Sequence, residues 1–278
     1  MPLVTLAEVL QPALKNGHAV AGLVTLGWED MRAFVAAAEA ENVPVILQAG
    51  PGCREHTPLP VLGSMFTYLA ENASVPVVAH LDHGYTLAEC REALDCGFTS
   101  IMYDGSRKVL SQNIDETAGI AELAHRHGMS CEGEIGFVGY DQGEKSEGTD
   151  PEEARQFAEQ TGVDAMAISV GNVHLQTQTG GRLDEERVHS IASVCQTPLV
   201  IHGGSGVPVD QRLSLAASSA ICKYNIGTEL RRVFGSALRE SVNKDATRFD
   251  RVALLKDTHE PLVDATRNVL RSVTPKPS

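Results

Sequence analysis

The chain has 278 residues, 42% of them hydrophobic and 21% charged, with a formal net charge of -13. That length suits either two small domains or one α/β barrel of about 250 residues. The acidic balance argues against nucleic acid or anionic membrane as the main partner, though a local positive site could still hold a small anionic substrate.

The opening MPLVTLAEVLQPALKNG lacks the basic start and unbroken apolar core of a signal peptide and predicts an amphipathic helix. No run reaches the length of a bilayer span, so a cytoplasmic protein is expected. Cys53, Cys90, Cys96, Cys131, Cys195 and Cys222 form no CxxC pair, which predicts reduced thiols.

Eight short apolar runs then follow: AVAGLVT (19–25), PVILQAG (44–50), VPVVAHLD (75–82), SIMYDG (100–105), SCEGEIG (130–136), DAMAISV (164–170), PLVIHGG (198–204) and ICKYNIG (221–227). Stretches with apolar residues three and four apart separate them, such as EDMRAFVAAAEAEN, TLAECREALDCG and DETAGIAELAHRHG. Thr86 with Glu89 reads as a capping box. Gly97 and Gly128 stand where helices end, and Asp150-Pro151 opens PEEARQFAEQ. Eight β/α units without a domain-like break predict a TIM (β/α)8 barrel, one domain over residues 1–278. Nearly continuous apolar strands suit a parallel sheet covered on both faces. No GxGxxG or GxxxxGK[ST] follows any strand, which argues against a dinucleotide fold. The polar run GYDQGEKSEGTD (139–150) predicts a mobile loop after the fifth strand, and the ending TPKPS a frayed tail.

In such a barrel the active site lies at the C-terminal ends of the strands. His83 closes the third strand, Glu134 lies near the end of the fifth, His174 just past the sixth, and His202 at the end of the seventh. Any one of these histidines alone is more often a hydrogen-bonded structural residue than a ligand. Their coincidence on one rim points to zinc or another borderline divalent ion. His125, His127, His189 and His259 fall on helical faces, where solvent exposure explains them. His80 shares a strand side with Asp82, as a supporting partner or a core histidine. Asp82 and His83 are adjacent and would face opposite ways on a regular strand. A frayed strand end would let one bind metal and the other handle a proton. GGSG (203–206) and NIGT (225–228) follow the seventh and eighth strands, the usual phosphate site of this fold, with hydroxyls from Ser205 and Thr228.

Together these motifs resemble the class II, metal-dependent ketose-bisphosphate aldolases, the family of fructose- and tagatose-bisphosphate aldolases. HLDHG (80–84), YDGS (103–106), EGEIG (132–136), the GxxH of 171–174, HGGSGVP (202–208) and NIGTEL (225–230) occur in that family's order and spacing. The resemblance implies a carbon–carbon lyase. It would reversibly cleave a ketose 1-phosphate or ketose bisphosphate to dihydroxyacetone phosphate and an aldehyde, through a metal-stabilised enediolate. His83, His174 and His202 match the zinc ligands, with Glu134 and Asp104 matching carboxylates of an alternate metal position. Asp82 matches the acid/base that serves the carbonyl oxygen of the aldehyde half. Gly203, Gly204 and Ser205, with Asn225, Ile226, Gly227 and Thr228, match the phosphate cradle, and the backbone at Leu175 another phosphate contact. A homodimer or homotetramer is implied, with a monovalent cation near the phosphate.

Several positions depart from the family pattern. Val24 and Gly27 stand where many relatives carry asparagines, and Leu175 and Thr177 replace a glycine and a tyrosine. Where relatives have a loop glutamate that moves protons at the enediolate carbon, strict register puts Gln142. Asp141 or Glu144 could substitute, and Glu144 is the preferred candidate. Arg251, in FDRVALLKD, stands for a phosphate-binding arginine found in some relatives. A non-catalytic companion subunit, a metal-dependent phosphosugar hydrolase on the same barrel, and a Schiff-base aldolase using Lys223 are the competing readings.

Overall fold

The computed structural model describes residues 3–140, 143–175, 181–245 and 247–274. Eight parallel strands close into a barrel in sequence order: β1 (Val20–Val24), β2 (Val45–Ala49), β3 (Val77–Gly84), β4 (Ser100–Tyr103), β5 (Ser130–Ile135), β6 (Ala165–Ile168), β7 (Leu199–Ile201) and β8 (Ile221–Ile226). β8 returns to β1 with Gly22 opposite Asn225. The helices are α1 (Leu6–Lys15), α2 (Trp28–Glu41), α3 (Pro51–His56), α4 (Leu59–Asn72), α5 (Leu87–Asp95), α6 (Leu110–Arg126), α7 (Pro151–Thr161), α8 (Glu185–Val194), α9 (Val209–Ser218), α10 (Thr228–Lys244), α11 (Arg251–Lys256) and α12 (His259–Arg271). This is the expected TIM barrel, and all eight expected strands form. Those at 164–170 and 198–204 are shorter than their apolar runs, because their ends turn into loops.

Alternation along each strand sorts side chains into two layers. Outward residues such as Leu23, Leu47, Ala79 and Ile101 pack against Phe34, Phe66, Phe98 and Phe157 of the helical coat. Inward residues Val20, Ile46, Val78, Met102, Ala167 and Val200 fill the bottom of the barrel. There α1 closes it with Leu6, Val9 and Leu10, entered through a Thr5–Glu8 capping box. Two residues further along the same inward rows come Gln48, His80, Asp104 and His202. The barrel axis is therefore apolar below and polar above, and the polar end is the C-terminal rim.

Gly97 and Gly128 adopt the left-handed conformation expected at helix ends, and Asp150 caps α7 through the amides of Glu152 and Glu153. The capping box at Thr86 is half formed. Its hydroxyl accepts from Glu89 N, but the Glu89 carboxylate turns to Tyr85 N and to Arg54 instead. The segment expected as a loop after β5 has its own pairing, with Phe137 and Glu147 bonded through both amides. Residues 275–278 of the expected tail lie outside the described residues.

Candidate metal centre and active site

The adjacent pair Asp82 and His83 depends on a local break in β3. Pairing with β2 ends at Ala49–Leu81, and pairing with β4 shifts between Leu81 and Gly84. In this gap His83 takes a φ of 55°, the left-handed region that non-glycine residues rarely occupy. Such a residue costs on the order of 1–3 kcal/mol and persists only where its surroundings over-determine it. The frayed strand end that was expected does not form: β3 continues to Gly84, with a register shift and a left-handed turn of the backbone at His83. Both side chains consequently line the same cavity.

Around that turn the three rim histidines meet. Ligand-type atoms of His83, His174 and His202 all lie within 4.8 Å of one another. His83 Nε2 is 3.0 Å from His202 Nδ1, and the His83 and His174 ring centroids are 5.2 Å apart. A second group, within the same 4.8 Å limit, joins His83 to Asp104 and Glu134. His83 Nδ1 is 2.8 Å from Asp104 Oδ2 and 3.8 Å from Glu134 Oε2. Glu134 Oε2 is buried with no hydrogen-bond partner among the described residues. Three imidazoles with an orphaned buried carboxylate oxygen beside them fit a borderline divalent cation.

The electrostatics favour neutral donors at two of the three histidines. Burial, then the charge on His83, pushes the His174 pKa down to about 4, and the same causes hold His202 well below its usual value. Both rings are thus neutral, with lone pairs available. Burial opposes a charge on His83, but Asp82, Asp104 and Glu134 outweigh it and raise its pKa to about 10. Burial works against the Asp82 carboxylate, yet His83, His202 and Lys223 hold it below the ordinary range. Burial and then Asp104 drive Glu134 well above its ordinary value.

Beneath the histidines lies a polar layer. Lys223 Nζ is 2.6 Å from Glu132 Oε2, and both side chains are fully buried. Glu132 Oε1 is 3.1 Å from His202 Nε2, which leaves His202 Nδ1 on the side of His83, 3.0 Å from its Nε2. His80 joins the layer at 3.5 Å from Glu132 Oε2, with its Nδ1 2.9 Å from Ser100 Oγ. It is fully buried, and both of its ring nitrogens have polar partners. Lys223 is fully buried and held in an ion pair with Glu132, so the lysine of the Schiff-base reading is already engaged.

The cavity, about 320 Å³, opens toward the loops after β7 and β8. Gly203, Ser205, Asn225, Gly227, Thr228 and Leu175 line it. Gly203 has φ 65°, and a Cβ there would stand 2.0 Å from Val173 O, so only glycine fits. Gly204 and Ile226 are buried and are not among the described lining residues. Ser205 Oγ accepts from Gly227 N at 3.2 Å and Glu229 N at 3.4 Å, tying the two loops together at the start of α10. The buried Arg212 supports this loop through Ser205 O and Glu229. Leu175 is also left-handed, with φ 55°, and its side chain is exposed.

Not every expected residue reaches the cavity. Glu144 pairs with Arg107 at 2.6 Å on the exposed side of its loop and is not among the described lining residues. Asp141, Gln142 and Thr177 lie outside the described residues. Arg251 lines a separate surface cavity with Trp28, Arg32 and His259. Val24 lines this cavity, whereas Gly27 is not among the described lining residues. Sequence reasoning missed Tyr85, Tyr140, Arg231 and Arg54. Arg231 is the sole lysine or arginine among the described lining residues. Its position one turn into the helix after NIGT was a usable signal.

Comparison with known proteins agrees with this geometry. The family model described as "Fructose-bisphosphate aldolase class-II" matches residues 4–275. A fructose-bisphosphate aldolase of Staphylococcus epidermidis is 32% identical over 280 residues, covering 98% of this chain and 97% of that protein. One of Geobacillus stearothermophilus is 35% identical over 257 residues, covering 90% and 89%. Among solved structures, the YdjI aldolase of Escherichia coli K12 superposes with a TM-score of 0.87 at 26% identity, covering 98% of this chain and 97% of that one.

Proposed function

The chain belongs to the class II fructose-bisphosphate aldolase family, and from that premise we propose a zinc-dependent cleavage and synthesis of a ketose 1-phosphate or ketose bisphosphate. Dihydroxyacetone phosphate is the constant half and an aldehyde the variable one. The observation that carries this reading is the convergence of His83, His174 and His202 within 4.8 Å beside Asp82. His83, His174 and His202 would hold zinc, which would supply Lewis-acid charge worth several kcal/mol. Asp104 and Glu134 offer it an alternate position.

The chain's own residues do the rest. Asp82, kept ionised by His83 and His202, takes the hydroxyl proton on cleavage and returns it to the aldehyde oxygen on synthesis. Asn225 Nδ2 donates to Asp82 Oδ1 at 3.5 Å and orients it. The backbone of Gly203, Gly204, Leu175 and 225–228, with the N-terminus of α10 and the Ser205 and Thr228 hydroxyls, holds the phosphate. A monovalent cation beside the phosphate belongs to the same proposal. Glu144 is the loop carboxylate assigned to the carbon-bound proton, once its pair with Arg107 breaks. Tyr85 and Tyr140, whose phenols burial holds in the neutral form, act as donors at the mouth.

The aldehyde half differs from glyceraldehyde 3-phosphate in this reading, because Val24 puts an apolar side chain where relatives present an amide. A homodimer or homotetramer acting in the cytoplasm completes the proposal. No helix among the described residues is long and apolar enough to cross a membrane. Purified protein incubated with a panel of ketose phosphates and zinc tests the function. Release of dihydroxyacetone phosphate that a chelator abolishes is expected. Phosphate release without carbon–carbon cleavage, or turnover indifferent to chelation, overturns it. A clear preference for glyceraldehyde 3-phosphate in synthesis overturns the substrate assignment alone.

A further inference from the structure

We infer that Arg54 is a positioning residue: its guanidinium locks the left-handed turn at His83 and so aims both His83 and Asp82 into the cavity. The inference rests on the proposed aldolase reading only for what that aim is used for. Arg54 lies in α3, directly after β2, with a side chain only 7% exposed. Nη1 donates to Ala49 O at 2.5 Å and to Asp82 O at 2.6 Å, and Nη2 donates to His83 O at 2.9 Å. These acceptors stand where the sheet lets go. No ladder partner faces residues 82 and 83, since pairing stops at Leu81 on the β2 side and resumes only at Gly84 on the β4 side. Two carbonyls that the sheet leaves over are thereby taken by one rigid fork of donors. Buried carbonyls need such partners.

Glu89 completes the clamp from α5. Its Oε1 accepts from Arg54 Nε at 3.0 Å and Nη2 at 2.7 Å, while its Oε2 accepts from Tyr85 N at 2.9 Å. The backbone is thus gripped before and after the turn. Gly84 leaves no slack, since a Cβ there would stand 2.9 Å from Met102 O. Glu89 is the residue expected to cap Thr86 N. Its diversion to Arg54 and Tyr85 is explained by this second task. A lysine could carry the charge but not reach three carbonyls in one plane.

Zinc affinity of wild-type, Arg54→Ala and Arg54→Lys proteins, measured by competition with a chromophoric chelator, tests the inference alongside thermal melting. Arg54→Ala should bind zinc about 10–100-fold more weakly, the usual cost of losing a group that orients a metal ligand. Millimolar guanidinium should restore its affinity and its turnover while leaving wild type unchanged. Arg54→Lys should remain weakened despite a wild-type melting temperature. Should Arg54→Ala fail to fold, Arg54→Lys carries the same comparison, and its crystal structure should show His83 out of the left-handed region. Wild-type zinc affinity in either folded variant, or recovery with Arg54→Lys but not with guanidinium, overturns the inference. Zinc binding without any aldol cleavage by wild type would instead sink the aldolase reading and leave the clamp to be decided by affinity. If wild type binds no zinc, the His83 backbone in Arg54→Lys decides: displaced supports the clamp, unchanged overturns it.

Discussion

Replacing Lys223 by methionine probes the buried layer that carries His202. The ammonium and the Glu132 carboxylate sit 2.6 Å apart, both fully buried, so neither can turn to water when its partner is lost. Breaking a buried pair from one side costs about 3–5 kcal/mol, whereas replacing both members by apolar residues is often neutral. At roughly 2–4 °C per kcal/mol for a chain near this size, Lys223→Met should lower the melting temperature by roughly 6–20 °C. The double variant Lys223→Met/Glu132→Leu should recover most of that loss, since no buried charge remains. It should not recover zinc affinity, because the carboxylate that accepts from His202 Nε2 at 3.1 Å is gone. Urea denaturation and zinc competition on the four members of this mutant cycle measure both quantities. A single variant within about 1 kcal/mol of wild type, or a double variant no more stable than the single, would refute the assignment of a mutually dependent ion pair.

Asp82→Asn removes the carboxylate proposed to carry the proton but not the histidines, so turnover should fall about 10²–10⁴-fold with zinc affinity retained; equal loss of both would show that Asp82 acts structurally. Metal-free His83 keeps its proton up to about pH 10, and a ligand imidazole must be neutral, so zinc binding at pH 8 should release at least one proton. Titration calorimetry in buffers of different ionisation enthalpy reads that number, and zinc affinity should rise with pH toward 10. Arg231→Ala should raise KM for aldehydes bearing a phosphate or carboxylate and leave neutral aldehydes unaffected; an equal change for both would remove Arg231 from substrate recognition.

Much of this molecule is written locally. Apolar runs of strand length, separated by helical periods and closed by Gly97, Gly128 and Asp150, already determine a β/α alternation. Once eight such units close, residues at strand ends must share a rim, which is why His83, His174 and His202 were legible as one site although 119 positions separate the first and last. The left-handed φ of His83, the fork of Arg54 and the Glu132–Lys223 pair were not legible. Each depends on where a strand stops pairing, or on a partner far along the chain: 29 residues from Arg54 to His83, and 91 from Glu132 to Lys223. Glu144 shows the same limit from the other side. Its type and loop suit a proton carrier, but the Arg107 with which it pairs at 2.6 Å lies 37 residues away, beyond the reach of any local pattern. Patterning determines which residues arrive at the barrel mouth, because period and burial are properties of short segments. Only the packed structure decides how they are aimed, because hydrogen bonds left over by the sheet are satisfied by whatever the rest of the chain brings near.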